Sequence, residues 1–128
     1  MSMFGYKEFS DDVLSVFDSQ FLNNYNLVQS NFDSSSVTFE SDKCILIIDV
    51  DGLVLDGYFI EPNTSLEDNK FYSLSSFFEL KDFGYEALTI IHQNRENIIF
   101  RLKELKRYLE SYGDEILIKG DFSIFNRG

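Results

Sequence analysis

Two apolar runs meet at an Asp-Gly dipeptide in the middle of the chain. Cys44-Ile45-Leu46-Ile47-Ile48 leads through Asp49-Val50 to Asp51-Gly52, and Leu53-Val54-Leu55 opens a second run that closes with Tyr58-Phe59-Ile60. Asp-Gly supplies the positive φ angles of a two-residue type I′ turn, which joins antiparallel strands. The first run is β-branched and apolar at both parities up to Asp49, as a central strand covered on both faces would be. Lys43 to Val50 and Leu53 to Ile60 are therefore expected as paired strands reversing at residues 51 and 52. Val37-Thr38-Phe39-Glu40 alternates apolar and polar, and Ser41-Asp42 turns the chain, which adds a third strand to the meander.

Helices flank this sheet. Ser10 followed by Asp11 and Asp12 reads as an amino-terminal cap with acids facing the helix dipole. Val13, Leu14, Phe17, Phe21 and Leu22 then recur at helical spacing until Asn23-Asn24. Ser73 to Leu80 predicts a short helix capped by Ser73 or Ser75. A long helix starts from Asn94, carries Ile98, Leu102, Leu105, Leu109 and Tyr112 on one stripe, and stops at Gly113, expected as a left-handed terminator. Residues 87–91 fit a helical turn or a strand, and Glu115 to Ile118 a helical extension or an edge strand. The fold expected is α+β: an amino-terminal helix, an antiparallel three- to four-stranded meander, and carboxy-terminal helices packed on one face. With 128 residues, 44% of them hydrophobic, residues 1–128 suit a single domain with its own core.

The charge is strong and uneven. The chain holds 22 acids and 11 bases, net −11. Residues 1–94 carry 16 acids and 4 bases (net −12), and residues 95–128 carry 6 acids and 7 bases (net +1). Such a surface repels polyanions, so neither nucleic acid nor an anionic membrane is an expected partner, whereas a basic protein is attracted. The longest apolar run has five residues, against the roughly 20 of a membrane helix. No secretory signal pattern stands at the amino terminus, and a cytoplasmic location is expected.

Catalytic chemistry has few places to reside. Cys44 is the single cysteine and sits in the apolar run, where a thiol behaves as a small buried hydrophobe. His92 is the single histidine and stands beside Gln93 and Asn94 at a helix start. The glycines never form a phosphate-cradling loop. No enzyme activity, cofactor or metal is expected. The acids Asp11, Asp12, Asp18, Glu67, Asp68, Glu79, Asp82 and Glu86 are the candidate contact charges for a partner.

One local motif offers a rival. An apolar strand ending Asp49-Val50-Asp51-Gly52 resembles the first motif of the haloacid-dehalogenase superfamily of phosphotransferases. The resemblance implies Asp49 as nucleophile, Asp51 as general acid, a Mg²⁺ between them and Gly120-Asp121 as the remote metal-binding acid. That family's motif follows the first strand of a parallel sheet. Here 48 residues precede Asp49, and Ile91-His92 stand where a threonine or serine should close the second motif.

The order of the whole chain carries a broader resemblance. A leading helix with Phe21-Leu22-Asn23-Asn24-Tyr25-Asn26-Leu27 precedes three strands, the last ending Gly57-Tyr58-Phe59-Ile60. Phe71-Tyr72-Ser73-Leu74 opens the helical part, and Tyr112-Gly113-Asp114-Glu115-Ile116-Leu117-Ile118-Lys119-Gly120-Asp121-Phe122 closes it. This resembles small bacterial immunity proteins, cytoplasmic inhibitors paired with polymorphic or contact-dependent toxins. The resemblance implies a stoichiometric inhibitor of a basic toxin domain and assigns no functional residue. An adaptor domain for a partner other than a toxin fits the same order.

Overall fold

The computed structural model describes residues 7–33, 35–51, 54–62, 71–81, 88–89 and 95–126. Its elements are α1 (Phe9–Val16), α2 (Ser19–Asn24), β1 (Val28–Phe32), β2 (Ser36–Glu40), β3 (Ile45–Asp51), β4 (Val54–Ile60), β5 (Phe71–Ser73), α3 (Leu74–Leu80), β6 (Leu88–Thr89), α4 (Arg95–Tyr112) and α5 (Asp114–Leu117), with a closing 3₁₀ turn at Ser123–Asn126. The class is α+β as expected. The sheet runs β1-β2-β3-β4-β5, antiparallel throughout, with β6 pairing β4 as well. It is therefore wider than the three or four strands anticipated.

The central hairpin pairs Asp51 with Val54 and Ile45 with Ile60. Asp51 thus ends a strand instead of standing in the turn, while the Gly52 of the expected reversal and Leu53 are outside the described residues. The β2–β3 turn forms where Ser41-Asp42 stands. Ser41 Oγ accepts the Lys43 and Cys44 N–H groups (3.0 and 3.3 Å), and Ser41 N–H donates to the Cys44 carbonyl (2.9 Å). Between β1 and β2 the Asp33 carboxylate accepts N–H bonds from Ser35 and Ser36 at 2.7 and 2.8 Å. The Ser35 N–H is the main cause that holds this carboxyl below its usual range.

The leading helix is two helices. Asp18 Oδ1 accepts the Phe21 N–H at 3.1 Å and caps α2, because a short acidic side chain competes for backbone donors inside a helix. Ser10 is not a cap: α1 begins at Phe9, after Glu8, with no side-chain cap bond. Ser73 does cap α3, accepting the Ser76 N–H at 3.1 Å. The stripe Ile98, Leu102, Leu105 and Leu109 on α4 is buried as its spacing requires, with Tyr112 partly buried beside it. Gly113 follows α4 but with φ −91°, so it is no left-handed terminator. Its role is contact: a Cβ there would stand 2.7 Å from the Leu109 carbonyl and 3.0 Å from Leu117 Cδ1. Residues 114–117 take the helical alternative, and Leu88–Thr89 the strand alternative. The cap expected at Asn94 is outside the described residues.

The core lies on one side of the sheet. Val37, Phe39, Leu46, Ile48, Leu55 and Phe59 point into it, with Phe9, Val13, Phe17, Phe21, Leu74, Phe77, Phe78 and the α4 stripe packed over them. Phe17 meets Phe21 edge-on at 4.9 Å, and Phe59 meets Phe77 at 5.4 Å. Tyr72 stacks on Phe125 of the closing turn at 4.0 Å, which fixes the carboxy-terminal segment to β5. Edge and offset contacts of this kind stabilise by about 0.5–1.5 kcal/mol beyond the area they bury.

The outer edge of β4 is shared. β5 pairs with Tyr58 to Ile60, and β6 with Val54 and Leu55. Between these two segments the amino terminus of α3 sits against Asp56, whose carboxylate accepts Ser75 Oγ at 2.5 Å and the Ser75 N–H at 3.3 Å. Two caps therefore serve one helix end, Ser73 from its own chain segment and Asp56 from the sheet.

Candidate protein interface

The strand registers place three rows of side chains on the sheet face opposite the core, which the amino terminus of α3 reaches at Asp56. Val28, Glu40, Ile45, Ile60 and Phe71 are aligned across β1 to β5. Asn31, Thr38, Ile47, Tyr58 and Ser73 form a second row. Ser36, Asp49 and Asp56 form the third, with Ser75 bonded to Asp56. The face is thus graded: the first row is apolar except for Glu40, and the third carries Asp49 and Asp56.

Exposure fits this arrangement. Val28 and Phe71, at the two ends of the first row, are 68% and 59% exposed. Ile45, Ile47, Tyr58, Asp49 and Asp56 are half-buried, and Ile60 is buried outside the core cluster. Phe71 meets the Tyr58 ring edge-on at 6.3 Å. Antiparallel sheets with one solvated face usually carry polar residues there. Isoleucine and tyrosine stand on this face instead, half-buried or buried, and among the described residues its exposed large apolar side chains are Val28 and Phe71 at the ends of the first row. The apolar run at both parities was read in the sequence as a strand covered on both faces; in the structure the described helices cover only the even positions of β3.

The candidate contact charges are scattered. Asp11 is exposed on α1, Asp18 is exposed at the α2 cap and Glu79 is exposed on α3. Asp12 is not a surface charge, a correction to its assignment: it is 4% exposed and ion-paired with Arg95. Glu67, Asp68, Asp82 and Glu86 lie outside the described residues. None of the described four belongs to the graded face, whose acids Glu40, Asp49 and Asp56 were not among the expected contact charges. Asp49 shares strand and parity with Ile45 and Ile47, a signal the sequence held, whereas Glu40 and Asp56 join them only through cross-strand register.

Catalytic features are sparse among the described residues. Cys44 is fully buried, and burial pushes its thiol up to about 12, so it stays protonated and apolar in character. Among the described residues no three His, Cys, Asp or Glu side chains gather as a metal site would require. The Asp51 side chain and His92 lie outside the described residues. The strand bearing Asp49 is antiparallel to both neighbours, whereas the phosphotransferase resemblance implies a parallel one. A cleft of about 140 Å³ is lined by Asn24, Tyr25, Asp42, Lys43 and Ile118, smaller than the roughly 300–1,000 Å³ of ligand pockets. At its rim the Tyr25 hydroxyl donates to Asp114 at 3.4 Å. Burial, then the charges of Asp114 and Glu110, raise that phenol to about 12.

No helix among the described residues is long and apolar enough to cross a membrane. The chain has no significant match to any family model, curated protein or solved structure.

Proposed function

We propose that this chain is an immunity-type binding protein, a cytoplasmic inhibitor that neutralises a cognate bacterial toxin by direct stoichiometric binding and carries no catalysis of its own. The observation that carries the reading is the graded sheet face, apolar at the Ile45 end and acidic at the Asp49 end, on a chain of net −11. Such a surface suits a basic protein: long-range attraction brings the partners together and apolar contact holds them. Bound there, the inhibitor occludes the toxin by covering it. The organisation of the whole chain, helix then meander then helices, adds the support of its resemblance to immunity proteins.

The phosphatase reading has less support, because β3 lacks a parallel neighbour among the described strands. An adaptor for another basic protein uses the same face and is separated by the partner's identity.

Co-purification from the native host is the decisive experiment. A one-to-one complex with a toxin domain, and protection of cells that produce that toxin, is the expected result. Mg²⁺-dependent hydrolysis of a generic phosphoester, abolished by Asp49→Asn, would overturn it in favour of the enzyme. A stable complex with a protein that is not toxic would favour the adaptor.

A further inference from the structure

The geometry points to a seat for one side chain: we infer that the cleft between the ends of α2 and α5 takes a single arginine of a basic partner. The inference rests on the binding reading above and adds a contact by which such a partner is held.

Three chain segments enclose the cleft. They are Asn24 to Asn26 where α2 ends, Asp42 and Lys43 of the β2–β3 turn, and Leu117 and Ile118 where α5 ends. The fold fixes each of them. Asn26 takes φ 55° as the chain leaves α2, and the Leu27 N–H donates to the Leu22 carbonyl at 2.8 Å. Gly120, at φ 64°, carries the segment after α5 past the turn, where a Cβ would stand 3.2 Å from the Lys43 carbonyl oxygen. A cleft held this way needs little ordering when a side chain enters. Its volume of about 140 Å³ equals about five water molecules at roughly 30 Å³ each, room for one long side chain.

The cleft is open. Asn24, Asn26, Asp42 and Lys43 are exposed, and Ile118 is 49% exposed. Among the described residues no hydrogen bond or ion pair engages the side-chain amides of Asn24 and Asn26, the Asp42 carboxylate or the Lys43 ammonium.

Its electrostatics favour a cation. Two helices end there and neither carries a base in its last turn, so the partial negative charge of their last carbonyls has no cation from the helix itself. Asp42 lines the wall. Asp114, which accepts the Tyr25 hydroxyl, stands at the rim, and Glu110 is near enough to act on the same phenol. Lys43 is the one base of the lining, and its exposed, flexible stem can turn to solvent. Among cations arginine fits best. Its planar fork has five donors for acceptors set on separate segments, Asn24 and Asn26 on one and Asp42 on another. Its stem can lie along Ile118 and the buried Leu117. A carboxylate would instead meet Asp42 and the two carbonyl ends.

The test titrates N-acetyl-arginine amide, and its lysine and glutamate counterparts, into the full chain at constant ionic strength and follows backbone amide shifts by NMR. The arginine compound should give saturable shifts centred on residues 24–26, 42–43 and 117–118. The lysine compound should bind at least twofold more weakly, and the glutamate compound should not saturate. Asp42→Asn should weaken arginine binding about threefold, and Lys43→Met should tighten it about twofold. Asp11→Asn makes the same change of charge on α1 and should leave binding unaltered. All three positions are exposed, so the variants should keep the wild-type urea midpoint.

Scattered or unsaturable shifts with the arginine compound would overturn the inference, as would equal affinity for arginine and lysine or equal loss in Asp42→Asn and Asp11→Asn. So would saturable glutamate binding that Asp42→Asn tightens and Lys43→Met weakens, since the cleft would then take an anion. If a cognate toxin is found and Asp42→Lys binds it undiminished, the arginine seat falls while the immunity reading stands. If the arginine compound binds as described and the co-purified partner is not toxic, the immunity reading falls alone.

Discussion

Arg95 donates from Nε and Nη2 to the two carboxylate oxygens of Asp12, at 2.9 and 2.7 Å, joining α1 to the first turn of α4 across 83 positions of sequence. The carboxylate is almost wholly buried and the guanidinium half-exposed. Planar two-point pairing of this kind is stronger than a point contact, and Arg presents it in a fixed geometry. Arg95→Ala leaves a buried acid short of its main cation. It should cost about 2–4 kcal/mol in urea unfolding. Asp12→Ala in addition should cost clearly less than the sum of the two single changes, because the stranded charge is then gone. Additive losses would show that the pair is not coupled.

Gly57 lies in β4 where a Cβ would overlap the Ile47 carbonyl oxygen and come within 2.9 Å of Leu74 Cδ1. The carbonyl belongs to the neighbouring strand and cannot turn away as a side chain could. Gly57→Ala should therefore destabilise by about 2–4 kcal/mol through backbone displacement. A midpoint within the error of wild type would contradict the close approach of β3 to β4.

The Cys44 thiol is raised from 9.0 to about 12 by burial, and the Tyr25 phenol from 10.0 to about 12 by burial and nearby acids. The folded protein holds these protons more tightly than the unfolded one. Stability is thus fully present below pH 9 and declines as pH rises from about 9 to 12. Urea midpoints should fall across that window, and Cys44→Val should lessen the fall. Ellman's reagent at pH 8 should label the native thiol at least a hundredfold more slowly than the denatured one. Rapid native labelling would mean that Cys44 is accessible.

Association with a basic partner should be steered by the field of the net charge. Raising salt from 20 to 300 mM shortens the screening length from about 20 Å to about 6 Å, so the on-rate should fall at least tenfold while the off-rate changes little. Stopped-flow measurement decides it, and a salt-insensitive on-rate removes steering from the mechanism.

The antiparallel hairpin of β3 and β4, the Ser73 cap and the α4 stripe were legible because each depends on neighbouring residues or a short period. Elements that depend on distant partners were not. β1 is polar, Gln29-Ser30-Asn31, and is a strand because β2 offers it a ladder. The three residues of β5 and the two of β6 take extended form against β4, a preference that five residues of local sequence cannot encode. Asp12 looked like a surface acid because its cation lies 83 positions away. The graded face was hidden for a related reason. Parity assigns Ile45 and Ile47 to one side of a strand, but which side the helices cover is a tertiary fact.

The division of the β4 edge has a colloidal consequence. A foreign strand adds to a sheet by bonding to a long, straight row of free backbone groups. On that flank the sheet ends in three residues of β5 and two of β6, with a helix end between them. On the opposite flank β1 is interrupted by a shift of register between Gln29 and Asn31. Among the described residues neither margin is an uninterrupted template, the kind of border that resists strand addition and fibril-like growth.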